Sequence, residues 1–431
     1  VSVLTTKRSS DFLIDGIGAL YTLAGTARAP RRGAELRDPG LVKDAAIALL
    51  GDEIVAVGPR NHVYDSIELT KSATRLDAGG RAVIPGFVDP HTHAVFDEPR
   101  SGEFGRRLTG ESYVSIAQSG GGIRASVREF RECSEEELRE KTLRRLRSMQ
   151  RLGTTTVEIK SGYGLNLESE LKALRVIASL RGIEDLPRIA TTCLAAHEIP
   201  DEYREDRARY LSLVCDEILP RVRAEELAER VDVFCEPHVF DLAESRRVLA
   251  RGKELGFRLT VHADEIEASG GAELAAELGA DSADHLGRIS AAGIEALAAS
   301  DTVGVLLPAT IFSLGLRNWA PARRLIEAGA VVALATDFNP GSNYCESMPL
   351  TLAIACTQLG LHPHEALCMA TANAAWALRR ADSVGSLECG KKADIVVLEG
   401  PSIDRLCHHL GQEPMRWVIQ GGRIVHESPP G

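Results

Sequence analysis

His91 and His93 stand two residues apart at the end of the apolar run 82–88, within Pro85-Gly86-Phe87-Val88-Asp89-Pro90-His91-Thr92-His93. Alternate side chains of a strand point the same way, so the two imidazoles can converge on one point. Such a pair can form half of a metal site. His262 follows Leu259-Thr260-Val261, and Asp337 follows Val332-Ala333-Leu334-Ala335-Thr336, so both also close apolar runs. A carboxylate buried after such a run needs a metal or another cation as partner. Three imidazoles and one carboxylate can hold an ion that makes hydroxide available near neutral pH, so the chemistry these residues point to is metal-assisted hydrolysis.

Elements must carry these residues to one place. Strand-like runs are read at 82–89, 154–160, 189–196, 231–235, 258–263, 281–284, 302–307 and 331–336. Between them lie charged segments of helical period at 134–151, 167–180, 224–229, 242–255, 271–278, 290–299 and 321–328. Ser134 before Glu135-Glu136-Glu137 reads as an N-cap ahead of acidic first-turn residues. Strand–helix alternation implies parallel strands, and about eight repeats fit an α/β fold of the (β/α)8 barrel type. A doubly wound sheet lacks support, because no G-x-G-x-x-G follows the first strand. Barrel sites sit at the C-terminal ends of the strands. The polar candidates fall there strand after strand: His91, His93, Lys160, His197, Glu236, His262, His285 and Asp337. A histidine standing alone is usually an ordinary one, and His62, His238, His362, His364, His408, His409 and His426 are read so. Gly120-Gly121-Gly122 reads as a turn on the substrate side rather than a phosphate cradle, since no Lys-Ser/Thr follows it.

The flanks differ. Short strands with turns at Gly51-Asp52 and Gly79-Gly80 precede the barrel, and 393–398 with a hairpin at Gly421-Gly422 follows it. Neither end has enough strands alone, so the two are expected to pair into a small β-sandwich. The expected divisions are 1–84 and 385–431 for that unit and 85–384 for the barrel.

Composition narrows the class. The chain has 431 residues, 44% hydrophobic, ample for a large core and a smaller satellite. No apolar run reaches the roughly 18 residues of a membrane span, and residues 1–10 lack the apolar stretch of a signal peptide. A cytoplasmic protein without membrane partners is expected; the start at Val1 suggests a processed terminus. Nine cysteines without a C-x-x-C pair read as free thiols, with Cys235 in the core. The net charge of −11 argues against a nucleic-acid partner, and an anionic substrate would need a local cationic anchor.

Residues 85–93 resemble the first-strand signature of the amidohydrolase superfamily, and Gly385-Ser386-Leu387 with Lys391-Lys392-Ala393-Asp394-Ile395-Val396 resembles its C-terminal return. More narrowly, five segments resemble the imidazolonepropionase family. They are Lys160-Ser161-Gly162-Tyr163-Gly164, Ala196-His197-Glu198-Ile199-Pro200, His262-Ala263-Asp264-Glu265, Ala283-Asp284-His285 and Thr336-Asp337-Phe338-Asn339-Pro340-Gly341-Ser342. The likeness covers nearly the whole chain. Ala195 where that family usually has glycine, and His238 where a small residue is usual, depart from it.

The resemblance implies one divalent or ferric ion, Zn2+ or Fe3+, on His91, His93, His262 and Asp337. Glu236 is the candidate bridge for a second ion, with a single ion preferred. It implies that Glu265 and His285 activate water and that Asp337 relays a proton. The implied reaction is hydrolysis of 4-imidazolone-5-propanoate to N-formimidoyl-L-glutamate in histidine degradation. The partner is thus a small anionic heterocycle, and a homodimer is the expected assembly. Arg100, Tyr113, Tyr163, His197, Glu265, Asn339, Gly341 and Ser342 are the implied substrate-binding residues. The alternatives are another amidohydrolase of the nucleobase or aminoimidazole deaminase type, and a catalytically inactive scaffold, against which the retained ligand set argues.

Overall fold

The computed structural model describes residues 7–111, 115–116, 119–411 and 413–429. The N-terminal end supplies five strands: β1 (Arg8–Tyr21), β2 (Leu41–Leu50), β3 (Glu53–Pro59), β4 (Ile67–Asp77) and β5 (Ala82–Pro85). Eight more follow: β6 (Phe87–Asp89), β7 (Thr154–Lys160), β8 (Arg188–Ala196), β9 (Arg230–Cys235), β10 (Arg258–Ala263), β11 (Ser282–His285), β12 (Val303–Leu306) and β13 (Val332–Leu334). The C-terminal end adds β14 (Ile395–Leu398), β15 (Met415–Gln420) and β16 (Arg423–Glu427).

The two ends join in one mixed sheet of order β16-β15-β14-β5-β1-β2-β3, with β4 branching from β1. β14 runs antiparallel to β5, with Val396 opposite Ile84. Ile14, Ile47, Val83, Ile395, Val397 and Ile419 share one apolar cluster, so strands some 300 positions apart in the chain close a common core. This cluster is what the two ends lack separately.

β6 to β13 follow one another in a second sheet, every pair parallel. The ring closes past the strand ends, where Thr92 bridges Phe338; His93 N donates to Phe338 O (2.8 Å) and Asp337 N to His91 O (3.1 Å). The run 82–89, read as one strand, is two. Gly86 is the break: a Cβ there would lie 2.1 Å from Thr155 Oγ1, so the chain passes β7 too closely for any other residue. β5 serves the terminal sheet and β6 the barrel.

The strands alternate in an unusual sense. Val157, Ile159, Val231, Val233, Leu259, Val261 and Ala283 join the apolar cluster with the helices. Their neighbours Glu158, Lys160, Asp232, Thr260, His262 and Asp284 are buried and polar. A period of two places the second set on the opposite, inner face.

The helix Glu135–Arg151 starts with a capping box: Glu137 N donates to Ser134 Oγ (3.3 Å) and Ser134 N to Glu137 Oε2 (3.1 Å). The helix read at 224–229 is absent. Helical turns instead run from Arg207 to Ala224, and Leu227 and Ala228 pack as buried loop residues before β9. All nine cysteines are free thiols, and Cys235 is buried in the main core. Among the described residues no helix is long and apolar enough to cross a membrane.

Candidate active site

β6 and its extension carry His91 and His93, β10 carries His262, and the turn after β13 carries Asp337. The structure brings all four together. His91 Nε2 lies 3.3 Å from His93 Nε2, which lies 3.3 Å from His262 Nε2. Asp337 Oδ1 lies 3.6 Å from both His91 Nε2 and His93 Nε2. All four side chains are almost wholly buried. Burial, reinforced by the surrounding histidines and Lys160, lowers His91 and His93 well below the usual imidazole range, so both are neutral and present lone pairs. Lone pairs do not converge without a positive centre. Nitrogens held about 2.0–2.1 Å from a tetrahedral ion would stand roughly 3.3–3.4 Å apart, so the cluster fits a metal ion. Burial lifts the Asp337 carboxyl to about 6, and its Oδ2 accepts a hydrogen bond from Thr310 Oγ1 (2.6 Å).

Several of these residues hold backbone that the site imposes. Asp264 (φ 52°), His285 (φ 78°) and Asp337 (φ 54°) all sit in the left-handed region at strand ends. Asp264 is locked there by its own carboxylate, which accepts from the amides of Ser269 (2.7 Å), Gly270 (3.0 Å) and Ala272 (3.0 Å). Glu236 does not face the histidine cluster as a bridge between ions would. Its Oε1 accepts from Glu265 N (2.8 Å) and Ile266 N (2.9 Å), and its Oε2 from Glu267 N (3.2 Å). It therefore holds the loop that carries Glu265. Glu265 Oε1 lies 3.6 Å from His285 Nδ1. Burial, with the charges of Asp337 and Glu236 nearby, raises Glu265 well above the ordinary carboxylate range. Burial lowers His285 well below the usual imidazole range.

A cavity of ≈ 260 Å³ opens above the cluster. Arg100, Tyr163, His197, Glu265, Asn339 and Ser342 all line it. Arg100 is gripped by Glu103 Oε2 (3.1 Å from Nε) and Ser126 Oγ (2.7 Å from Nη1). Glu103 in turn accepts Gly122 N–H at 2.7 Å, so the triple glycine cradles a carboxylate, not a phosphate. Gly341 lacks the Cβ that would lie 1.6 Å from Arg100 Nη2; its amide donates to Asn339 Oδ1 (2.9 Å). Gly341 thus makes room for the guanidinium, and its N–H is not presented to a ligand. Asn339 spends its amide within the same turn, accepting also from Ser342 N (2.9 Å) and donating to Asp337 O and Ser342 Oγ (both 2.8 Å). His197 Nδ1 donates to Gly162 O (3.0 Å), which turns Nε2 away from that glycine. Burial lowers His197 to about 3. Tyr113 lies outside the described residues. Phe234, Arg288, Ile311, Leu314 and Asn318 also line the cavity. Sequence reasoning missed them, because Arg288 and Asn318 sit in loops and Ile311 and Leu314 in the six-residue helix Pro308–Ser313 and its C-cap, too short to show a period.

The amidohydrolase family model matches residues 82–424. An imidazolonepropionase of Symbiobacterium thermophilum is 48% identical over 97% of this chain and 98% of that protein. One of Porphyromonas gingivalis is 45% identical over 98% and 99%. Among solved structures, an adenosine deaminase of Xanthomonas campestris with bound zinc superimposes with a TM-score of 0.70 at 20% identity, covering 97% of this chain and 93% of that one. A 5-methylcytosine deaminase of Klebsiella pneumoniae gives 0.71 at 19%, covering 97% and 98%. At such identities the structures speak for the fold alone, whereas the sequence relatives share the whole chain. The chain belongs to the amidohydrolase family and, within it, to the imidazolonepropionases.

Proposed function

We propose that the chain hydrolyses 4-imidazolone-5-propanoate to N-formimidoyl-L-glutamate, with His91, His93, His262 and Asp337 holding one ion, zinc or ferric iron. The observation that carries this reading is a pair of buried groups that share His91 and could each hold an ion, His91–His93–His262 and His91–His285–Asp337, beneath a cavity that also holds a buried arginine. When bound, the ion would acidify a water molecule and polarise the ring carbonyl. The water oxygen adds to the ring carbonyl carbon, the amide C–N bond breaks, and the departing nitrogen takes a proton. Asp337 accepts the water's proton in this reading, which is supported by its Oδ1 facing the histidines while Thr310 occupies Oδ2. Glu265, raised by burial, can hold a proton near neutral pH and return it to the ring nitrogen. His285, with Nδ1 toward Glu265, has Nε2 to offer to the developing oxyanion. Arg100, with Tyr163 and His197, takes the propanoate carboxylate; Asn339 and Gly341 act by shaping the turn that holds Asp337 and admits Arg100.

The test compares turnover of imidazolone propanoate with that of guanine and cytosine, alongside elemental analysis. The wild-type chain should carry one equivalent of metal and open only the imidazolone ring. Asp337→Ala should lose both turnover and metal. Deamination of guanine or cytosine without ring opening would replace this reading with a deaminase; near-normal metal content in Asp337→Ala would remove Asp337 from the ligand set.

A further inference from the structure

Beneath the histidine cluster lies a charged group that the reaction as described does not use. Lys160, on the inner face of β7, is fully buried. Its Nζ lies 2.8 Å from Glu158 Oε1, 2.8 Å from Asp232 Oδ2 and 3.7 Å from Asp284 Oδ2. Two of these oxygens also meet the histidine cluster. Asp284 Oδ2 lies 2.6 Å from His91 Nδ1, and Asp232 Oδ2 lies 3.0 Å from His262 Nδ1. The same oxygen atom therefore touches the ammonium on one side and an imidazole on the other, in both arms. Among the described residues neither His93 Nδ1 nor His262 Nδ1 makes a hydrogen bond, so the Asp232 arm is a 3.0 Å ion-pair contact; the His93 ring stacks instead on His197 with centroids 5.0 Å apart.

We propose that Lys160 is a positioning residue for the metal site, one cation that fixes Asp232 and Asp284 so that Asp284 accepts the Nδ1–H of His91, Asp232 lies against Nδ1 of His262, and both Nε2 lone pairs face the ion. An imidazole can bind a metal through Nε2 only as the tautomer with its proton on Nδ1, and a carboxylate beside Nδ1 selects that tautomer and sets the ring plane. A carboxylate buried without a cation would swing or be displaced, because desolvation opposes it. Glu158 completes the charge around the ammonium from β7 itself and accepts from Thr92 N–H and Thr192 Oγ1 rather than from a ligand histidine. The network thus has one structural arm, to Glu158, and two arms that reach the site.

This inference rests on the metal reading, and the two can fail separately. The experiment measures zinc affinity of the metal-free full chain by competition with a chromophoric chelator, together with thermal unfolding of the same samples. Lys160→Met should weaken zinc binding about 10–100-fold. Lys160→Met with Glu158→Gln removes the cation and its structural partner together, so it should recover part of the thermal stability that Lys160→Met loses while zinc binding stays weak. Asp284→Asn keeps Lys160 and cuts one arm; it should weaken zinc by itself, and adding the double change to it should cost less than the sum of the two. A folded double variant with wild-type zinc affinity overturns the inference, as does strict additivity with Asp284→Asn. A wild-type chain that binds neither zinc nor iron overturns the metal reading, and this inference with it.

Discussion

Arg100 shows how a side chain is prepared for an anion in a protein whose net charge of −11 opposes one. Glu103, Ser126 and the bare backbone of Gly341 hold the guanidinium in one place, so little rotamer entropy remains to be lost on binding. Arg100→Met should raise KM for imidazolone propanoate by the equivalent of about 2–4 kcal/mol, with a smaller change in kcat. Steady-state kinetics checks this, and an unchanged KM would take Arg100 out of the site. Asp337 and His262 were readable as candidate ligands because each closes an apolar run. The use of Glu236 was not: its carboxylate turns to the backbone amides of 265–267, a choice made by a loop conformation that no spacing encodes.

At the scale of elements, the split between β5 and β6 hinges on Gly86. Gly86→Ala would push a methyl group into the Thr155 side chain at 2.1 Å, and overpacking of this kind costs about 1–3 kcal/mol, which urea unfolding would register. The helix Arg60–Ser66 is tied to β1 by Asp15, which meets Arg60 through both oxygens (2.8 Å each) and accepts Tyr64 Oη (2.7 Å). Burial raises the Asp15 carboxyl, but Arg60, Tyr64 and the Gly16 amide outweigh it and leave it lowered. A folded-state pKa below the unfolded value stabilises above the unfolded pKa, near 4, and that gain vanishes as pH falls through the folded value. Asp15→Asn should therefore cost about 1 kcal/mol at pH 7 and progressively less toward pH 3. An equal loss at both pH values would show that packing, not charge, makes the tie. Seven of the eight barrel strands matched their sequence signal because short stretches rich in apolar and β-branched residues stand out between charged helical segments, even where β7, β9, β10 and β11 alternate with polar residues. The turns from Arg207 to Ala224 did not, since a charged helix with an internal wide turn blurs the period.

At the scale of the whole molecule, β7, β9 and β11 turn charged side chains into a barrel interior of the kind usually filled with branched apolar ones, while β6, β12 and β13 keep Val88, Val305 and Ala333 there. Glu158, Lys160, Asp232 and Asp284 occupy it beneath the histidine cluster. The fold therefore gathers buried charge around one point, which a bound cation would help to balance. Stripping metal with a chelator should lower the melting temperature, and restoring the ion should raise it again. At free metal 1,000 times above Kd, binding contributes about 4 kcal/mol. A melting temperature indifferent to metal would mean that the four ligands do not hold an ion in the folded state.

Local order, covering which runs are strands, which segments are helices and which residues end each strand, follows from periodicities of two and 3.6 that a linear chain displays openly. The pairing of the two chain ends was also foreseeable, because neither carries enough strands to bury its own face. Contacts across the barrel were not. Whether Lys160 meets Asp232 and Asp284 depends on how eight strands twist and close into a ring. Closure juxtaposes side chains from β7, β9 and β11 that share no register in the sequence, and their charges find one another only once the ring has formed.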